Sequence, residues 1–307
     1  MNARRDGRSR PVPWLTLGVF VVIAELLAWA AVLPLWLSGG LDNPLLPLVE
    51  FAMMLAPSVA ALVAVFFIWR PKRPASALGV TFPGGFKNQG VYLGLGLLLP
   101  PIATFAALAV ASLSGAGDIS TNALAATLPA HGGPAGDVPL PIVVITLALT
   151  PINAIIGAVA ALGEEIGWRG RLLPALRPLG TWPALVLSGT IWGLWHTPII
   201  LLGYHFDQPN ILGVINMVIL SVLLGAVLGW LRMRSGAVWA PALAHGGFNA
   251  WQTAISTTLI VHAATGSSTP LLGWSGWVVL AVILAIIAAT RQLRWANPDE
   301  QAQDSEK

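Results

Sequence analysis

The chain has no cysteine, and of its 307 residues only 9% are Asp, Glu, Lys or Arg. Without cysteine there can be no disulfide, no Cys-ligated zinc and no thiol nucleophile. The shortage of charge excludes an ordinary soluble domain, in which about a quarter of residues are charged. The HExxH motif of zinc proteases is also missing, as are internal repeats and any soluble appendage. What is present is apolar: 56% of residues are hydrophobic, and 14 are tryptophan, which anchors spans at water–lipid interfaces. This composition predicts an all-α polytopic membrane protein.

Apolar runs of about 20 residues can cross a bilayer as helices. Eight are readable, at 14–37, 45–69, 90–113, 140–162, 182–202, 211–231, 237–259 and 271–290. The first follows MNARRDGRSR and carries AWA at 28–30, which mimics a signal-peptide cleavage site. Its apolar run is longer than the roughly 7–15 residues of a signal, so it reads as a retained span. Eight spans place all 16 Lys and Arg on one side: the N-terminus, 70–89, 163–181, 232–236 and the C-terminus. The other side, including the Gly/Pro/Ala-rich loop near 114–139, carries none. Positive charge favours the cytoplasm, so eight transmembrane helices with both termini cytoplasmic are expected. The predicted organisation is 1–139 for spans 1–3 and an external loop, 140–259 for a core of spans 4–7, and 260–307 for span 8 and a tail. The acidic tail after Trp295 reads as disordered.

Ionisable residues within spans are rare and face a bundle interior or a water-filled cavity. The candidates are Glu25, Glu164, Glu165, His196 and His245, joined by Asn249 and, just beyond the fourth span, Arg169. Glu165 and Arg169 are four apart and share a helix face, while Glu164 points about 100° away. One carboxylate is thus held by an arginine and its neighbour is free to face something else. Gly163, Gly167 and Gly170 keep this segment slim enough for another helix to approach. In IWGLWHTPI, Trp192 and His196 share a face; in APALAHGGFNAW, His245 and Asn249 do. Pro241 is expected to leave the carbonyl four residues before it unpaired. Each site alone could be an interfacial charge cluster or interhelical glue. Together they supply a carboxylate, two imidazoles and an amide, and amide hydrolysis needs a base for the water and donors for the oxyanion. Glu25, Asn153 and Asn216 read as packing or interhelical hydrogen-bonding residues. His131, His205 and His262 fall in or beside the charge-poor loops, with no specific role expected.

EExxxR in EEIGWR, aromatic-xxx-His in WGLWH and HxxxN in HGGFN, in this order on separate helices, resemble the CPBP family. That family contains type II CAAX prenyl endopeptidases and bacteriocin-processing and immunity proteins. The middle motif there usually begins with Phe, and Trp192 takes that place here. The resemblance implies a glutamate-dependent intramembrane endopeptidase that needs no cofactor or metal, with a chamber opening to the cytoplasm. By position, Glu164 and His196 would activate the water, His245 and Asn249 would stabilise the oxyanion, and Glu165 with Arg169 would support the first Glu. The implied partners are the lipid bilayer and a peptide or protein substrate arriving from the cytoplasmic side, with no nucleic acid.

Two other functions compete. A zinc metalloprotease has suitable ligand types in two His and a Glu, but the arginine of the doublet would repel a dication. A non-catalytic membrane scaffold could keep the motifs while regulating a partner protein. A transporter lacks support, since no discontinuous helix pair or midplane acidic ladder appears. The Ala-, Gly-, Pro- and Arg-biased composition points to a bacterial inner membrane and away from prenylated CAAX substrates. One geometric difficulty stands. Glu164 lies near the cytoplasmic end of its span, whereas His196 lies about 15 residues past the preceding loop, over 20 Å deep at about 1.5 Å per residue. They can meet if the fifth helix enters obliquely or late, or if the fourth continues past Arg169.

Overall fold

The computed structural model describes residues 11–83, 85–119, 140–258, 260–263 and 269–295. Among them, eight main helices stand where the apolar runs are. They are α1 (Trp14–Leu37), α2 (Leu46–Val63, continued by π-helical Ala64–Trp69), α3 (Gly85–Leu113), α4 (Leu140–Glu165), α5 (Thr181–Trp195), α6 (Ile211–Ser235), α7 (Trp239–Thr258) and α8 (Trp274–Ala289). Most of the 114–139 loop, the acidic tail and His131 lie outside the described residues. A two-stranded antiparallel ribbon, β1 (Gly117–Ile119) with β2 (Ile260–Ala263), ties the connection after α3 to the one after α7.

Five stretches are long and apolar enough to cross a membrane: Trp14–Leu37, Leu46–Trp69, Gln89–Leu113, Leu140–Leu179 and Ile211–Ser235. The protein is therefore a helical, multi-pass membrane protein. The remaining three helices fall short for physical reasons. α5 has 15 residues and α8 has 16, about 22–24 Å of rise against a hydrocarbon core of about 30 Å. α7 has 20 residues but spends several on His245, Asn249, Gln252, Thr253, Ser256, Thr257 and Thr258.

The sequence-based boundary at 162 is corrected. Residues 163–179 are not a loop: α4 runs on as a π-helical stretch, Ile166–Leu172, then Leu173–Leu176 and a closing turn, Arg177–Leu179. Its charge suggests a solvated connection, yet Glu164, Glu165, Arg169 and Arg171 are all buried. The glycines make this possible. A Cβ at Gly163 would lie 2.6 Å from the Met54 carbonyl oxygen, one at Gly167 2.4 Å from Pro57 Cβ, and one at Gly170 2.5 Å from the Leu78 carbonyl oxygen. Backbone thus packs on backbone where a larger residue would hold the segments apart.

α7 lies against α4 and α3, α5 against α6, and α1 against α2. The α4–α7 approach is closest at Gly157 and Gly246, where a Cβ at Gly246 would lie 2.3 Å from the Ala158 nitrogen. Gly189 and Gly193 seat α5 on Val222 and Val218 of α6 in the same way. Pro241 departs from expectation. It lies in the first turn of α7, where no helical bond needs its N–H, and the carbonyl four residues back, that of Ala237, accepts the Ser235 hydroxyl at 3.0 Å.

Candidate active site

Gly180, in a left-handed conformation (φ 92°), joins the extended α4 to α5 as an antiparallel hairpin. Glu164 lies sixteen residues before it and His196 sixteen after (164 to 180, 180 to 196). Equal numbers of helical residues on either side bring the two to a similar level, and the Glu164–Trp192 bond shows that the helices meet there. This resolves the depth difficulty by the continuation of α4; α5 starts at Thr181, so it does not enter late.

The adjacent carboxylates have separate partners. Glu165 Oε1 accepts from Arg169 Nη1 at 2.8 Å and faces His245 Nδ1 at 2.9 Å. Glu164 Oε2 accepts from Trp192 Nε1 at 2.7 Å. The Arg169 guanidinium lies 4.3 Å over the Trp192 ring, adding cation–π attraction to the ion pair. Glu165 and Arg169 therefore grip His245 and Trp192 rather than Glu164 directly. The indole in turn holds Glu164.

His196 ends α5, and its Nδ1 lies 2.8 Å from the Trp192 carbonyl oxygen. A carbonyl only accepts, so Nδ1 carries the proton and Nε2 of the neutral ring keeps a lone pair. Trp192, Trp195 and the two histidines form one aromatic cluster, with ring centroids 4.8 Å apart for Trp195–His196 and 5.3 Å for Trp192–His245.

Glu164, His196, His245 and Asn249 line a single chamber of about 300 Å³. Glu165 and Arg169 stand behind its wall. The chamber thus brings together the four residues that could meet a substrate, and the other two are positioned to orient them.

The turn that carries the carboxylates is braced from α6. The Leu173 N–H bonds to the Trp168 carbonyl in the π pattern, which would pair the Arg169 carbonyl with residue 174. Residue 174 is proline and has no N–H. Arg232 supplies the missing donor, its Nε bonding the Arg169 carbonyl at 3.0 Å. Arg171 is buried alongside, donating to Thr16 Oγ1 at 2.8 Å and lying 4.6 Å over the Trp69 ring.

This geometry coincides with a family match. Residues 144–251 fit the family model Rce1-like, described as type II CAAX prenyl endopeptidase Rce1-like. The core resembles the Rce1-like family. The matched stretch runs from α4 into α7 and contains all six candidate residues, while α1–α3 and α8 lie outside it. No curated protein matches the chain. The Rce1-like family is one of CAAX-type intramembrane proteases, which agrees with a polar chamber enclosed by apolar helices.

Within the matched stretch, Trp192 matters more than the preservation of an aromatic suggests. Phe could fill the space, but only the indole N–H can bond Glu164. The chamber also holds groups that local motifs do not mark: Glu50 of α2, Tyr204 and His205 of the loop after α5, and Ser221 of α6. Glu50 falls inside the apolar run 45–69, and its charge there is the signal that could have found it. Tyr204 lies beside Glu50, and its ring lies 3.9 Å from that of His205. Burial pulls the His205 imidazole down to about 4, so it is neutral near pH 7. Glu25 does not line the chamber. Among the described residues, no three His, Asp or Glu side chains are grouped to hold a metal ion.

Proposed function

We propose that the protein is an intramembrane endopeptidase that hydrolyses a peptide bond of a membrane-associated protein or peptide with water activated by Glu164. The observation that carries this reading is the shared chamber, in which a tethered carboxylate, two imidazoles and an amide converge inside an Rce1-like core. Trp192 occupies Oε2 of Glu164, and the other carboxylate oxygen serves the water. His196 Nε2 accepts the water's second hydrogen bond and fixes its orientation. As the water oxygen bonds to the scissile carbonyl carbon, its proton passes to Glu164. Asn249 and His245 donate to the resulting oxyanion. Because His245 already donates from Nδ1 to Glu165, it donates from Nε2 as the imidazolium, whose charge Glu165 balances. Collapse of the intermediate breaks the C–N bond, and the leaving nitrogen takes the proton from Glu164.

The accompanying topology is eight spans with both termini cytoplasmic in a bacterial inner membrane, and a catalytic core over 140–259. It is supported by eight helices at the eight apolar runs and by the one-sided Lys and Arg. The test compares native protein termini in membranes from cells carrying wild type or Glu164→Gln. Gln keeps shape and most hydrogen bonding but cannot take the proton, so a defined set of new termini should disappear at equal expression. Identical termini in the two membranes would leave the scaffold reading in possession.

A further inference from the structure

The chamber extends in one direction only. On α2 it is lined by Glu50, Met53 and Met54, near the start of a helix that continues to Trp69. On α6 its lining runs from Met217 to Leu224, well short of Arg232 and Arg234. On α7 it runs outward from His245 to Thr253. The connections that reach it are those at 203–210 and 269–273, which hold no Lys or Arg. In the other direction the wall is solid: Trp168, Arg169, Leu172 and Arg232 are all buried. Glu164 is thus at the closed, arginine-bearing end of a chamber that extends toward the arginine-free end.

A second cavity borders this one, and Asn249 and Thr253 line both. It lies between α4 and α7 on the outer side of the Gly157–Gly246 contact. Counting away from that contact along the antiparallel pair, Asn153 comes level with Ala250, Thr150 with Thr253, and Thr146 with Thr257. The helices touch at the glycines and leave a groove lined with hydroxyls and amides beyond them. Asn153 is exposed there, between the lipid-like Ile152 and Ile155. An amide facing hydrocarbon without a partner costs several kcal/mol, about the penalty for any unpaired polar group there. Inside the chamber, the Ser221 hydroxyl is 1% exposed and has no hydrogen-bond partner.

We infer that the substrate enters from the extracytoplasmic side, laterally, as an extended peptide segment threaded along the α4–α7 groove into the chamber. An extended backbone in the membrane carries unpaired N–H and C=O groups, and Asn153, Thr146 and Asn249 offer donors and acceptors at intervals along the path. Ser221 awaits the segment at the inner end. An acyl chain would satisfy none of these groups. The inference rests on the protease reading and the proposed topology, and it reverses the cytoplasmic approach that the family resemblance implies.

Single cysteines test it, because the chain has none of its own. Asn153→Cys and Thr253→Cys probe the groove. Ile152→Cys is the lipid-facing control at the same depth as Asn153. Asp42→Cys and Ser76→Cys report the arginine-free and arginine-bearing ends. A membrane-impermeant maleimide applied to intact cells should label Asn153→Cys, Thr253→Cys and Asp42→Cys, and should spare Ile152→Cys and Ser76→Cys. All five should label after denaturation in detergent. The inference is overturned if the groove cysteines react only in opened cells, if Asn153→Cys reacts no faster than Ile152→Cys, or if Asp42→Cys proves to be inside. Labelling requires no catalysis, so a failed protease reading would show in the Glu164→Gln termini and not here. Once those termini are known, cleavage sites in extracytoplasmic segments support the inference, and sites in cytoplasmic segments overturn it.

Discussion

At the arginine-bearing end of the bundle, Gly163, Gly167 and Gly170 press α4 onto its neighbours, and Arg169, Arg171 and Arg232 are buried with partners. At the arginine-free end, α4 and α7 part beyond Gly157 and Gly246, and Asn249 and Thr253 are exposed between two neighbouring cavities. The first region is dense and cross-braced and the second is open and polar. On the proposed function, the contrast divides the labour of hydrolysis. A base acts efficiently only if it is held still, which needs packing on all sides. A peptide must enter and leave, which needs a region without it. Glu164 lies where the two meet.

If this division is right, the largest losses come from groups that face the open side. Asn249 makes no side-chain hydrogen bond that the fold depends on, and an oxyanion donor is typically worth about 10²–10³ in kcat. Asn249→Ala should lower kcat by that order with little change in KM or thermal stability, measured on a peptide spanning an identified cleavage site. A matching fall in stability would move Asn249 from the open region to the braced one. The next effect falls on the boundary. Trp192→Phe keeps the ring but deletes the donor to Glu164; hydrogen bonds to charged groups contribute about 1.5–3 kcal/mol, so kcat should drop roughly 10- to 100-fold. An unchanged rate would mean that the 2.7 Å indole–carboxylate bond does not position the base.

The smallest expected effects are on stability alone, and they differ between the regions. Gly167→Ala forces a Cβ to within 2.4 Å of Pro57, and overpacking of this kind costs about 1–3 kcal/mol. Thr257→Val in the groove should stay within about 0.5 kcal/mol, as surface substitutions do. Thermal unfolding of the two variants in the same detergent compares them directly. Equal losses would erase the contrast between the two ends.

Much of the bundle is legible in the sequence because lipid constrains the length of an apolar run. The Glu165–Arg169 pair is legible as neighbours one helical turn apart, and Gly163 and Gly167 announce a close helix contact. The extension of α4 through 163–179 is hidden by its own composition. Arginines there read as a solvated loop, and what permits their burial is remote: Thr16 and Trp69 for Arg171, and α6 for the Arg169 carbonyl. The Trp192–Glu164 bond is hidden for a related reason, since it exists only once the hairpin at Gly180 closes. His205 shows the same limit from the other side. It lies in a connection with no motif, and the fold carries it into the chamber.

The central claim is that the Glu164 carboxylate, steadied by Trp192, takes the proton of the attacking water. Mutating the histidines cannot test it, because glutamate and zinc mechanisms both need them. The most direct measurement is the cleavage rate of purified wild type and Glu164→Gln, each before and after exhaustive dialysis against a tight chelator, with metal content determined alongside. The account predicts that wild type keeps its rate without bound metal, and that Glu164→Gln is slower by about 10²-fold or more, the scale of general-base catalysis. Stoichiometric zinc in active protein, with activity lost on chelation and restored by zinc alone, would contradict it.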